Sequence, residues 1–432
     1  MSRLPAGALP RLLSANADRP PTLAEHESRH GPLPTAAAKE LVELAAAAAL
    51  RGRGGGGFPL AAKLGAVLEQ RRNEPAVVVN GVEADPFSLK DATLLATNPH
   101  LVLDGAQAAA LALGAPAVVV AVGSRHRQAL VGVTHAARER PYRRPAITVR
   151  TVPDRYILGQ ESALIGYLNG KKGLPVFGFA PYRKGLGGRP TLVSNVETFA
   201  QLGLLLHHGE RWFRAIGEPA EPGSALITVW EGSGEPTLTE VALGTPLATV
   251  LGGPPATPTL VGGLGGGWLP SGWTGRWSRR DLAAAGSALG CGAAWILPEG
   301  ACPLGETARL LRFAAAAGAA QCGPCRFGTA ELALLFARLC GGDKAVLGEL
   351  EEVAGLLVGR GACSHPDGTA RLAASALAAF PDGVEAHLRH GPCPACRLQA
   401  GASPDGLQER RRPRRQGPKP ATPATWSGER WR

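Results

Sequence analysis

The sequence predicts three units in series: an α/β domain on a parallel sheet, a small β-rich domain, and a helical domain that holds most of the cysteines. Three observations carry this. Short β-branched runs alternate with helical ones to about residue 215, and a strand–turn–strand pattern with glycine-rich loops follows to about residue 300. Helical periodicity then runs from residue 305 onward, and six of the eight cysteines fall between 322 and 396.

In chain order, residues 1–40 are Pro-rich and read as a packed arm. Residues 41–220 hold the α/β domain, with strands at "AVVVN" (76–80), "AVVVAVG" (117–123) and "AITVRTV" (146–152) and helices at about 99–113 and 160–168. The apolar run from Leu101 to Val122 contains Asp104 and Gln107 and breaks at Gly-Ala-Pro, so it reads as a buried helix and a strand, not a membrane span. Residues 221–300 form the β-rich unit, starting at "SALITVWEGSGEPTLTEVA"; 301–400 form the helical unit. Residues 401–432 are a Pro/Arg-rich tail expected to be disordered and solvated.

Composition narrows the classes. With 45% hydrophobic and 19% charged residues in 432, the chain is an ordinary globular one. The net charge is +11, yet residues 403–432 alone carry eight basic against three acidic side chains, net +5. The folded part is only mildly basic, and nucleic acid is not an expected partner. Eight cysteines in so long a chain do not make a secreted disulfide framework, and the N-terminus lacks the pattern of a secretory leader. A cytoplasmic protein is expected.

Four stretches offer polar groups where α/β sheets bind ligands. "RGRGGGGFPLAAKL" (51–64) sets four glycines between two helices; their backbone N–H groups can cradle an anion, and Lys63 follows within reach. The run lacks Gly-Lys-Ser/Thr, so it is not a Walker loop, and by itself it reads as a turn or as a phosphate site. "VVVNGVEADP" ends a strand on Asn80 and presents Glu83 and Asp85 beyond a carboxyl end. "YILGQESA" sets Tyr156, Gly159 and Glu161 at a helix start, and "VSNVET" adds Ser194 and Asn195; each also fits plain helix capping.

Together these stretches resemble one family, the NADH-binding flavoprotein component of respiratory complex I (NADH-quinone oxidoreductase), over about residues 45–380. Its Gly-Arg-Gly-Gly-Ala-Gly-Phe-Pro loop is matched by Gly52, Arg53, Gly54, Gly55, Gly56, Gly57, Phe58 and Pro59. Tyr156–Ala163 and Val193–Thr198 match two further family motifs. The resemblance implies an FMN-binding α/β domain, a β-grasp domain and a helical iron–sulfur domain. It also implies that the glycine loop, Lys63, Asn80, Glu83, Tyr156, Gly159, Glu161 and Asn195 surround FMN and the arriving NADH, with Phe58 close by. The chain departs from the pattern at Val82, which replaces a carboxylate expected to help hold the flavin chain. Phe87 adds bulk there, Gln160 replaces a glutamate, and "LPVFGFAPYRKG" loses a dinucleotide-binding lysine that Arg183 or Lys184 would have to replace.

The cysteines admit three readings. "AAQCGPCRFG" could be a redox dithiol, but it lies between helical runs without the preceding Trp of that motif. The resemblance implies a [4Fe–4S] cluster, with Cys322 and Cys325 as the second and third ligands and Cys363 in "GRGACSHPDG" as the fourth; the first is Ala319. Cys393 in "HGPCPAC" is the expected replacement, ahead of Cys396 and Cys340; Cys340 is expected to pack in a helix, and Cys291 and Cys302 to be buried small hydrophobes. His365 reads as a polar loop residue. A Cys₄ zinc site pairing 322/325 with 393/396 is the competing account. The function expected is electron transfer from NADH through FMN to the cluster, and on to a ferredoxin-like or other electron-transfer subunit, with room for association with a membrane complex. The alternatives are an electron-transfer subunit of the same fold that does not use NADH, and a zinc-stapled binding module.

Overall fold

A computed structural model describes residues 9–13, 19–70, 74–141 and 145–399. The basic tail expected from the sequence lies outside these residues.

Four parallel strands, β1 (Ala76–Gly81), β2 (Ala117–Gly123), β3 (Ala146–Val152) and β4 (Thr191–Asn195), form a sheet of order β3-β2-β1-β4. The Val run of β1 is buried on both faces, as a central parallel strand requires. β2 and β3 extend to one side of β1 and β4 to the other, so the order reverses between β1 and β4. There Asn80 pairs in register with Asn195, and a ligand crevice is expected.

Helix α1 (Pro99–Leu113) and helix α2 (Val196–His208) cross on one face of this sheet, both nearly wholly buried. They cross closely because Gly105 and Gly203 oppose backbone: a Cβ at Gly203 would lie 2.7 Å from Leu101 O, and one at Gly105 would overlap Phe199 O. The polar residues that argued against a membrane span are paired. Asp104 accepts from His26 at 2.6 Å, His207 at 2.7 Å and Arg140 at 2.8 Å, and Arg140 also donates to Gln107 at 2.7 Å. The arm docks on this unit and on the next: Arg11 stacks on Trp212 at 3.8 Å, and Glu240 of the middle unit accepts the backbone N–H groups of Arg11, Leu12 and Leu13.

The middle unit is a mixed five-stranded sheet. Its strands β5 (Ser224–Glu231), β6 (Thr237–Ala242), β7 (Thr259–Val261), β8 (Gly267–Leu269) and β9 (Ala293–Ile296) run in the order β8-β7-β9-β5-β6. One face has its own core around Trp277 and Leu247; the other merges with the helical unit, where Trp268 and Trp295 meet Leu304, Leu311 and Phe336. Phe87 belongs to this shared core, stacked on Trp295 with ring centroids 5.4 Å apart, its carbonyl accepting from Trp230 Nε1 at 2.8 Å. Val82 packs with Val78, Ala121 and Val152. Both residues therefore face cores, because each is an apolar side chain next to an apolar layer, and the bulk that Phe87 adds goes into the shared core.

The helical unit comprises α3 (Pro303–Ala317), α4 (Thr329–Cys340), α5 (Val346–Leu357), α6 (His365–Ala379), α7 (Pro381–His390) and the short α8 (Pro394–Gln399). Trp268 N–H donates to Ser375 Oγ at 3.0 Å and Arg371 to Gly265 O at 2.7 Å. These bonds lay α6 along the middle sheet and bring its first residue, His365, toward the carboxyl ends of β1 and β4.

Candidate active site

All three units line one cavity of about 590 Å³. The glycine loop forms one wall, Asn80, Glu83, Asp85 and Tyr156 a second, Gly262–Gly265 with Gly290 and Cys291 a third, and Cys363–Arg371 the far end. The loop is pinched at its base by Gly52 N–H donating to Phe58 O at 2.9 Å. Within it Gly55 (φ +102°) and Gly57 (φ +58°) take conformations that side chains resist, and Gly54 and Gly56 are exposed. The loop thus presents bare backbone to the cavity, as a phosphate- or ring-binding cradle must.

Lys63 forms an ion pair with Glu161 and donates to Val193 O at 3.0 Å. Asn80 Nδ2 donates to Gly159 O at 2.8 Å, tying the two loops together. Ser194 and Asn195 line the floor, and Phe58 stands at the mouth, 54% exposed.

Two expected ligand-binding residues have other duties. Arg53 does not line the cavity. Its N–H donates to Thr198 Oγ1 at 2.9 Å, and its buried guanidinium faces Glu197 at 3.9 Å. Its side chain turns beneath the loop, where burial lowers its pKa. Glu83 touches the cavity, but its carboxylate accepts from Ser88 Oγ at 2.7 Å and from the N–H groups of Asp91 and Ala92 at 2.9 and 2.7 Å. It caps the helix that follows rather than reaching for a ligand. Arg183 and Lys184 are exposed and do not line the cavity, so neither supplies the missing lysine.

A buried charge cluster in the cavity wall was not foreseen from the sequence. Lys90 Nζ lies 2.6 Å from Asp91, 3.0 Å from Glu197 and 3.1 Å from Asn195 Oδ1, while Asn195 Nδ2 donates to Asp91 at 2.5 Å. Burial works against the ammonium, but Asp91, Glu197 and Glu83 outweigh it and hold its pKa above the ordinary value. A Lys-Asp pair at a helix start just past a strand's carboxyl end was the signal. Arg371, on α6, is a second basic group that only the tertiary fold brings to the cavity.

At the far end Cys322, Cys325 and Cys363 come together. Ala362 N–H donates to Cys322 Sγ at 3.5 Å, and the Cys363 thiol is pushed up by burial, with Cys325 and Cys322 adding to it. Cys322 and Cys325 sit at the turn Pro324–Gly328 that leads into α4, not before a βαβ helix. Cys363 lines the cavity itself. His365 is buried, not a loop residue: its Nε2 faces Ala314 O at 2.9 Å and its ring packs on Tyr156 with centroids 5.3 Å apart. Burial keeps it neutral.

Cys393 does not join these three. It stands with Cys302, His387 and Cys396, the four ligand atoms all within 4.8 Å of one another. Helix α7 ends at His390 and the chain turns back on the start of α3, so Cys393 reaches Cys302 instead of Cys325. This corrects three expectations: Cys393 as cluster ligand, Cys302 as a plain buried hydrophobe, and the zinc pairing of 322/325 with 393/396. Cys291 is half-buried, its thiol donating to Gly262 O at 3.5 Å, and so is not the fully buried hydrophobe expected; Cys340 is buried at the end of α4.

Known proteins match the chain over these same segments. Residues 45–203 match the Nuo51 FMN-binding domain, and residues 305–387 match the NADH-ubiquinone oxidoreductase-F iron-sulfur binding region. The NADH-quinone oxidoreductase F protein of Rickettsia bellii (strain OSU 85-389) is 28% identical over 383 residues, covering 81% of this chain and 90% of that one. Its counterpart in Streptomyces coelicolor (strain ATCC BAA-471 / A3(2) / M145) is 29% identical over 386 residues, covering 82% and 84%. Among solved structures, an NAD⁺-reducing [NiFe]-hydrogenase in the H₂-reduced state superposes with a TM-score of 0.73 at 27% identity, over 81% of this chain and 63% of that chain. The matched domains bracket the cavity from its glycine loop to its cysteines, and the chain belongs to the NADH-binding flavoprotein family of NADH-quinone oxidoreductases, as a divergent member.

Proposed function

We propose that the cavity holds FMN against the glycine loop and admits NADH past Phe58, with Cys322, Cys325 and Cys363 carrying a [4Fe–4S] cluster at its far end. One observation carries this: the same cavity is lined by the bare glycine backbone and by Cys363. The chain is a flavo-iron–sulfur oxidoreductase that passes electrons from NADH through FMN to a [4Fe–4S] cluster, the flavin supplying the change from two-electron to one-electron chemistry.

The chain's own groups divide the remaining work. Backbone N–H groups of Gly54–Gly57 and the Lys63 ammonium suit the anionic and carbonyl groups of a flavin nucleotide. Lys90, held charged by Asp91 and Glu197, offsets part of a buried acidic cluster in the cavity wall and holds the Asn195 side chain in place. Tyr156 and His365 pack on one another at the end of the cavity that Cys363 also lines, so the proposed flavin and cluster sites adjoin. Three thiolates serve three corners of the cluster. His365 Nε2 stands beside Cys325: a Cβ at Gly318 would be 3.4 Å from the nitrogen and 2.7 Å from the sulfur.

The middle sheet serves as a β-grasp module bracing the cavity. An apolar groove formed by Phe327, Leu334, Leu356 and Leu357 starts at Pro324 and Arg326, next to Cys325. It suits a ferredoxin-like or other electron-transfer subunit, with Arg326 and Arg360 facing an acidic partner surface. No helix among the described residues is long and apolar enough to cross a membrane. We place the chain in the cytoplasm, meeting any membrane complex through partner subunits.

The test is an anaerobic preparation of the full chain analysed for flavin and iron, then titrated with NADH. Flavin and iron together, with bleaching of the flavin band by NADH, is the expected result. Iron and flavin without bleaching would overturn NADH use, and colourless protein would overturn the whole proposal.

A further inference from the structure

We propose that Cys302, His387, Cys393 and Cys396 form a tetrahedral zinc site, separate from the cluster, that staples the chain's C-terminal segment to the helical unit. The four ligand atoms lie within 4.8 Å of one another. With Zn–S near 2.3 Å and Zn–N near 2.0–2.1 Å, a tetrahedral ion separates neighbouring donors by about 3.5–3.8 Å. His387 Nε2 is 3.7 Å from Cys302 Sγ and 3.4 Å from Cys396 Sγ, close to that spacing. The thiolates of a cubane cluster spread more widely around four irons, so this group suits a single ion.

The surroundings are those of a metal site. His387 Nδ1 is engaged by Gly383 O at 2.8 Å, which fixes the tautomer that leaves Nε2 as the ligand atom. Gly305 N–H donates to Cys302 Sγ at 3.4 Å, and Cys396 N–H donates to Cys393 Sγ at 3.4 Å. Backbone N–H groups aimed at sulfur stabilise thiolates, the form that binds metal. On binding, the three thiols release their protons to solvent and the imidazole stays neutral, so the ion and its ligands carry net −1.

The placement gives the site a purpose. Cys302 precedes α3, His387 lies on α7, and Cys393 and Cys396 flank the start of α8. One ion would join Cys302, before α3, to a C-terminal stretch more than eighty residues further along the chain. Helix α8 has only six residues, too few to hold itself by helix formation.

The test uses full-length protein purified anaerobically from zinc-supplemented cells and analysed for zinc, iron and flavin. About one zinc per chain is expected beside the iron. The double variant Cys393→Ser/Cys396→Ser should lose at least nine-tenths of that zinc while keeping its iron and flavin; Cys325→Ser should lose iron and keep zinc. Wild-type protein without zinc, or a double variant that loses iron instead, would overturn the proposal. Because the double variant could unfold, X-ray absorption on the wild type provides a second readout. Three sulfurs at about 2.3 Å and one nitrogen at about 2.0 Å around zinc are expected; an oxygen-rich shell would overturn it. His387→Cys should keep the zinc and convert that shell to four sulfurs; an unchanged shell of three sulfurs and one nitrogen in that variant would remove His387 from the site.

Discussion

The two cysteine groups of the helical domain use the same side chain and differ in their neighbours. Cys322, Cys325 and Cys363 stand at the end of a large cavity, beside Tyr156 and a neutral His365. Cys302, Cys393 and Cys396 close on His387 within 4.8 Å, away from the cavity. The contrast teaches that spacing along the chain did not assign the ligands: the Cys-x-x-Cys pairs 322/325 and 393/396 look alike in sequence, and only the turn after α7 sends them to different sites.

The largest effect expected is selective metal loss. Cys325→Ser should strip iron to background and abolish transfer to a protein electron acceptor, while flavin reduction by NADH persists. If zinc and iron fell together, the two groups would be one site, and metal analysis on the same preparation decides it. Next comes Lys90→Met, which leaves Asp91 and Glu197 buried without their cation. A destabilisation of about 3–5 kcal/mol is expected by urea unfolding, and a change below about 1 kcal/mol would show that the cavity wall is less charged than its geometry implies.

Acid should sharpen the picture at the arm. Burial lowers His30 to about 2 and His100 to about 4. An unfolded histidine titrates near 6.5, so below that pH the unfolded chain binds protons that the folded one refuses, and stability falls as pH drops. Each such histidine should remove about 1.4 kcal/mol per pH unit below 6.5 until its folded value is reached. Urea midpoints at pH 7 and 5.5 measure this, and His30→Gln should flatten the slope; an unchanged slope would assign the acid sensitivity elsewhere.

Smaller still is Gly57→Ala. At φ +58° the added Cβ is strained and overlaps the Arg279 guanidinium. A cost of about 1–2 kcal/mol is expected, read as weaker flavin retention with iron and zinc unchanged. Last, Phe327→Glu in the groove should raise the KM for a protein electron acceptor several-fold and leave ferricyanide reduction alone; equal loss with both would place the partner elsewhere.

Much of the scaffold was legible because its signals are local. The Val runs at 76–80 and 117–123 became β1 and β2, and "SALITVWE" became β5, since β-branched residues bounded by Gly and Pro leave few alternatives. The glycine loop was legible for the same reason: four glycines in a row remove every Cβ. Side-chain partners were not. Arg53 lies inside the matched loop motif yet turns toward Glu197, and Glu83 spends its carboxylate on the next helix. Phe87, expected as bulk near a ligand, stacks instead on Trp295 of the middle sheet.

By itself, then, the sequence determined which backbone segments form the α/β unit, where a bare glycine loop meets the strand ends, and which cysteines stand close in the chain. These follow from local sterics and periodicity. The tertiary structure alone decided which thiols share a site, that Lys90 is held among acids, and that His365 is buried against Tyr156 at the cavity's cysteine end. Those contacts join residues far apart in sequence, and their distances are set by how helices and sheets pack, which no local pattern encodes.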